Sequence, residues 1–319
     1  MIAIILAALV LIACCPGCSA SRGKQADNGG LEGPAGSAQN DAAINAVVSF
    51  DALYELAAAI GGERVSVVNV MPPGAEAHHF EPSARDLSML NTADVFIICG
   101  LGLEPWAEKA VSAAGNSKLI VCDASRGITP ISLADDEDSE HHDSGGDHEH
   151  ELFDPHVWLS PKCAAVMAEN IRDAFAGADP AGAEYYKNNC NEFARRLEGI
   201  FKEYSEKFSA VENSTIVTGH AVFAYLCRDY GLTQNSVEGV FAEGEPGARA
   251  LAELIDFCRQ NDIRAILTES LSSPLVAETL AAEAGARVLV VYTMESAEDG
   301  LSYLARLEHN LATIYESLC

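Results

Sequence analysis

Residues 44–71 read INAVVSFDALYELAAAIGGERVSVVNVM, and their pattern decides the class of fold. Two short β-rich runs, 44–50 and 65–71, flank a stretch of helical periodicity at about 51–60. Strand, helix and strand at that spacing make a βαβ unit, which implies a parallel sheet. The rhythm continues outward. Runs 94–100 (DVFIICG) and 118–123 (KLIVCD) read as further strands, with helical stretches near 83–91 and 104–114 between them. A long polar insertion follows, then a helix at about 161–177. Asp179-Pro180 opens a segment to about Ala210 whose large side chains, among them Tyr186, Phe193, Leu197, Ile200 and Tyr204, recur every three or four residues. Strands near 214–219, 235–240, 265–269 and 287–292 then alternate with helices near 221–229, 247–260, 274–284 and 299–317. The expected fold is α/β: two βα lobes with parallel-sheet cores, 44–178 and 211–319, joined by one long backbone helix over 179–210.

The chain of 319 residues is large enough for two domains. With 47 acids against 20 bases its net charge is −27, which disfavours nucleic acid or an anionic membrane surface as partner. Residues 1–18 contain an uncharged apolar run, Ile2 to Ala13, too short for a spanning helix of ~20 residues. It suits the apolar core of a signal peptide, although the usual basic start is absent. Leu11-Ile12-Ala13-Cys14 resembles the bacterial lipobox, which makes Cys14 the expected lipidation site; Cys18 is the weaker candidate because Cys15 stands at position −3. Residues 19–43, rich in Gly, Ala, Ser, Asn and Asp, read as a flexible tether. The folded part is therefore expected outside the cytoplasmic membrane, in a periplasm or at the cell surface, held by an N-terminal lipid. Seven cysteines lie beyond the tether with no CxxC pair, and they read as buried thiols.

Four of the nine histidines sit in distinctive places. His78 and His79 follow Pro72-Pro73-Gly74 at the end of the second strand, His156 lies in Asp154-Pro155-His156-Val157-Trp158, and His220 ends the run 214–219. In open parallel sheets the strand ends and the loops beyond them line the ligand crevice. Three neutral imidazoles with one oxygen would make a tetrahedral zinc site. The gaps between these histidines are too large for spacing alone to bring them together. The insertion 135–151, DDEDSEHHDSGGDHEHE, holds nine acids, His141, His142, His148 and His150, and no base. It reads as a self-repelling loop of weak, metal-gathering ligands.

Residues 72–82 (PPGAEAHHFEP), 154–161 (DPHVWLSP) and 219–232 (GHAVFAYLCRDYGL) resemble, in order, three motifs of the high-affinity zinc and manganese receptors of bacterial ABC importers, the cluster A-I family. The likeness runs from about Ile44 to Cys319. It implies a metal site in the cleft between the lobes, with His78, His156 and His220 as ligands and His79 as a bystander. The family's fourth ligand is usually a carboxylate of the C-terminal lobe. Here Tyr292 stands about where many members carry Asp, and Glu269 matches a Glu of the zinc-type members, so Glu269 or a water is expected to complete the site. The resemblance implies a monomeric receptor, not an enzyme, that captures Zn2+ and delivers it to a membrane permease; Mn2+ is the alternative cargo. An exported zinc metallohydrolase is disfavoured, since neither HExxH nor GxSxG occurs. Because ligand imidazoles must be neutral, affinity is expected to fall as pH drops through roughly 6.5.

Overall fold

In the computed structural model the described residues are 42–133, 152–240, 247–271, 273–297 and 300–319. They contain two four-stranded parallel sheets. The first takes β1 (Ile44–Val48), β2 (Val65–Asn69), β3 (Val95–Ile98) and β4 (Ile120–Asp123) in the order β2-β1-β3-β4. The second takes β5 (Thr215–His220), β6 (Thr233–Glu238), β7 (Ala265–Glu269) and β8 (Arg287–Val291) in the equivalent order β6-β5-β7-β8. Central strands are apolar on both faces, as βα crossovers require, and every residue of β7 is buried. Edge strands expose one face: Val68, Val121 and Val290 remain in solvent.

The helices are α1 (Asp51–Gly61), α2 (Ala84–Leu87), α3 (Ala107–Ala114), α4 (Pro161–Ala178), α5 (Ala183–Phe208), α6 (Ala224–Tyr230), α7 (Ala248–Gln260), α8 (Leu275–Ala284) and α9 (Tyr303–Leu318). Several start later than the periodicity predicts, each for a local reason. The expected 83–91 helix breaks after α2 into a tighter turn at Ser88–Asn91, where the Asn116 amide takes the carbonyls of Leu90 and Ala93. α3 begins at Ala107 because Glu104 turns back onto the N–H groups of Cys99 and Gly100. Asp179 does not begin the long helix; it caps a single turn at Pro180–Gly182 and pairs with Arg64 at 2.6 Å, and α5 starts behind it.

α5 spans about 39 Å at ~1.5 Å per residue. Its buried stripe of Tyr186, Cys190, Phe193, Leu197, Ile200, Tyr204 and Phe208 follows a three- and four-residue rhythm. Near its start Asn189 bonds the Ile60 carbonyl in the first lobe; near its end Phe208 packs on Tyr315 of α9. One apolar core runs through both lobes, including Phe50 and Trp158 from the first and Leu267, Tyr303 and Leu307 from the second. Smaller clusters sit under the outer face of each sheet. A shared core of this kind resists wide opening of the cleft. Of the seven described cysteines six are buried, Cys319 is exposed, and none is bonded to another. No helix among the described residues is long and apolar enough to cross a membrane.

Candidate metal centre

Each sheet has a point where the chain turns from one side to the other, between β1 and β3 and between β5 and β7. His220 is the last residue of β5 and stands at the second such point. His78 comes from the loop after β2. His156 follows a short antiparallel bridge, Ser132 with Phe153, that closes the insertion. The fold brings these three together: one ring nitrogen from each lies within 4.8 Å of the others. The Nε2 atoms of His78 and His156 are 3.0 Å apart, and the ring centroids of the three pairs are separated by 4.9, 5.5 and 5.1 Å. His156 and His220 are buried and His78 half-buried.

Hydrogen bonds orient two of the rings. Asp154 Oδ1 accepts from both the backbone N–H and the Nδ1 of His156, each at 2.8 Å, with both side chains fully buried. That bond keeps the proton on Nδ1 and turns the Nε2 lone pair inward. The single proton between the two Nε2 atoms therefore belongs to His78. His220 Nε2 donates to the Val240 carbonyl at 2.7 Å. It can present Nε2 to an ion only by exchanging that bond; otherwise it offers Nδ1.

Burial, reinforced by the neighbouring imidazoles, lowers the His78 pKa from 6.5 to about 3. Burial lowers that of His220 to about 4, with His156 adding to the effect. Both rings are neutral at pH 7, as ligands must be, and the window expected near 6.5 moves down accordingly.

The rings of His78 and His220 open on a cavity of about 1170 Å³ between the lobes, lined also by Glu238, Glu269 and Glu295, with His156 buried behind them. No Lys or Arg lines it among the described residues. Glu269 shares the cavity without joining the three-nitrogen cluster. Its Oε1 accepts the His220 backbone N–H at 2.9 Å. A Cβ at Gly219 would sit 2.8 Å from its Oε2, which explains the glycine before His220. The sequence reading missed Glu295, three residues beyond the terminal strand run it drew to Tyr292. This buried carboxylate bonds the Ala77 N–H through Oε2 at 2.9 Å, next to His78, and burial raises its pKa. The position after a parallel strand was the available signal. Tyr292, by contrast, packs against His309, with ring centroids 4.8 Å apart.

His79 lines the cavity but is exposed, 3.3 Å from Glu76, and does not join the cluster. Cys14, the leader, the tether up to residue 41 and the loop histidines His141, His142, His148 and His150 lie outside the described residues. The donor set suits a borderline dication: three imidazole nitrogens, nearby buried carboxylates, and an Asp154 Oδ2 that is buried with no hydrogen-bond partner.

Fold and site together define a two-lobed α/β protein built about a buried donor cluster. Residues 46–317 match the family described as ZnuA, zinc-uptake complex component A, periplasmic. The chain is 41% identical over 271 residues to a putative metal-binding protein of Treponema pallidum, covering 85% of this chain and 86% of the relative. It is 32% identical to the zinc-binding lipoprotein AdcA of Streptococcus pneumoniae over 88% of this chain, and spans 56% of that longer relative. Among solved structures, a Zn(II)-bound variant of AdcAII from Streptococcus pneumoniae superposes with a TM-score of 0.77 at 31% identity, covering 86% of this chain and 98% of that one. The chain belongs to the ZnuA family of zinc-uptake components.

Proposed function

We propose that this protein captures Zn2+ outside the cytoplasmic membrane and hands it to the permease of a metal ABC importer. The observation that carries the reading is the buried cluster of His78, His156 and His220, contributed by both lobes. Three imidazoles and a carboxylate oxygen make a closed tetrahedral site suited to binding rather than to activating water. Two carboxylates are placed to supply the oxygen. Glu269 tethers the His220 backbone and Glu295 the His78 loop. Because His78 and His156 stand on one lobe and His220 on the other, the ion ties the lobes together, and parting them releases it. Kinship to zinc-binding proteins supports zinc as the cargo.

The rest of the chain suits the same role. Lipidation at Cys14 would hold the receptor near its permease, and the loop 135–151 would gather ions weakly. Deleting that loop should remove a weak phase from a calorimetric zinc titration and leave the tight phase. Imidazole-rich sites favour Zn2+ over Mn2+, which prefers more carboxylate oxygens and stands lowest in the affinity order. The decisive experiment is elemental analysis of protein purified without added metal, followed by Zn2+ and Mn2+ competition at pH 7. Zinc should prevail by orders of magnitude; displacement of zinc by equimolar Mn2+ would overturn the assignment.

A further inference from the structure

Residues 293–296 follow β8 and belong by topology to the second lobe, as Tyr292 with its bonds to Asn310 does, yet four of their hydrogen bonds run to the first. The Thr293 carbonyl accepts from Trp158 Nε1 at 2.7 Å, two residues from His156. The Glu295 carbonyl accepts from the Asp51 N–H at 3.1 Å, and its Oε2 from the Ala77 N–H at 2.9 Å. Ser296 Oγ accepts from the Gly74 N–H at 2.6 Å. Between them Met294, fully buried, takes the left-handed backbone at φ 59°. An L-residue holds that conformation where its surroundings over-determine it.

The clamp on this segment is Arg306 of α9, buried to 1% exposure. Its Nη2 donates to Asp51 Oδ2 at 2.7 Å and its Nη1 to the Ser296 carbonyl at 3.0 Å. Asp51 thus grips the segment twice, through its own N–H on Glu295 and through the guanidinium on Ser296. A buried ion pair adds little net stability over a well-packed apolar pair. What the rigid, forked guanidinium supplies is geometry.

We propose that Asp51 and Arg306 are positioning residues of the ion site, holding the 295–296 peptide so that the Glu295 carboxylate stays in register with the His78 loop. This rests on the zinc-receptor reading above. His78, His156 and Glu295 then form one set that moves with the first lobe, whatever the topology of residue 295, and the second lobe contributes His220 across the cleft. Capture and release turn on the His220 side alone.

The test is a double-mutant cycle on the full chain: wild type, R306K, E295A and the double variant, read by chelator competition for Zn2+ and by the visible spectrum of the Co2+ form. R306K keeps the charge but cannot span both acceptors. It should weaken zinc by about 10–100-fold, as loss of a ligand's supporting partner does, and alter the Co2+ bands. In the E295A background the same change should add less than about twofold. In the metal-free protein, amide exchange at Gly74 and Ala77 should quicken in R306K. D51N, which keeps the backbone bond to Glu295, serves as second variant should R306K fold poorly, and should show the same dependence on Glu295. Equal losses in both backgrounds, or wild-type zinc binding in R306K and D51N, would overturn the proposal. A wild-type chain that takes up no zinc would overturn the receptor reading itself, and this proposal with it.

Discussion

The two lobes share one strand order and use its turning point in opposite ways. Between β5 and β7 the turning point opens into the cleft, and His220 and Glu269 meet there. Between β1 and β3 the equivalent place is filled by the chain itself: the Glu104 carboxylate accepts from Ser49 Oγ at 2.6 Å and from the N–H groups of Cys99 and Gly100 at 2.8 and 3.1 Å. Its carboxyl group is enclosed although part of the side chain reaches solvent, and burial raises its pKa to about 7 against the pull of those donors. The first lobe therefore delivers its donors from long loops over a plugged sheet, and the second delivers one straight from a strand end. Topology places the crevice; single side chains decide whether it binds.

The sharpest way to break this comparison is to remove the imidazoles. His78→Ala, His156→Ala and His220→Ala should each weaken zinc by more than about 100-fold, beyond the loss of a mere supporting partner, with the metal-free fold retained in circular dichroism. His79→Ala should change little. Equal damage from His79→Ala would place the first ligand one residue later.

A smaller effect is expected at the open turning point itself. Gly219→Ala would drive a Cβ into the Glu269 carboxylate and should weaken zinc by about tenfold. Glu269→Gln should cost less, because its amide oxygen still accepts the His220 N–H. Calorimetry on the two variants orders them, and the reverse order would make Glu269 chiefly a direct ligand.

Acid sets the two regions against each other. The pKa values of His78 and His220 fall from 6.5 to about 3 and about 4 on folding, so below 6.5 the unfolded chain binds protons that the fold refuses. Stability from these groups is full above 6.5 and is lost as pH falls toward 3. Glu104 has the opposite sign. Its folded pKa is raised from 4.5 to about 7, so its contribution is full below 4.5 and is lost as pH rises through 7. Two histidines outweigh one carboxyl where the limbs overlap, so the urea midpoint of the metal-free protein should rise with pH to about 7, less steeply once Glu104 begins to oppose it above 4.5. Zinc affinity should stay nearly level from pH 7 to 5 and collapse near pH 4, where protons begin to compete for His220. A midpoint of the loss at 6.5 would mean that the rings are solvated before the ion arrives.

The smallest effect belongs to the plugged lobe. Glu104→Gln should steepen the rise of stability between pH 4.5 and 7 and alter zinc affinity by less than about twofold, since it lies apart from the donor cluster. A larger change in affinity would show that the first sheet transmits strain to the His78 loop.

Much of this was legible in the sequence, because it depends on neighbours in the chain. Alternating β-rich and helical runs are local patterns, and they located all eight strands to within about two residues at most ends. The stripe along α5 announced a helix long enough to serve both lobes. The motifs around His78, His156 and His220 marked the residues that the fold brings together, although 78 and 64 residues separate them in turn. Their convergence within 4.8 Å follows from two sheets folded over one core, and no spacing rule contains it. Asp154 sits two residues from His156, yet its hold on Nδ1 depends on a backbone turn. Glu295 looked like an ordinary acid after the last strand until the fold carried its segment across to Ala77 and Asp51. Titration was least legible of all. A side chain's charge state depends on the water excluded around it, and that exclusion exists only once distant parts of the chain have packed together.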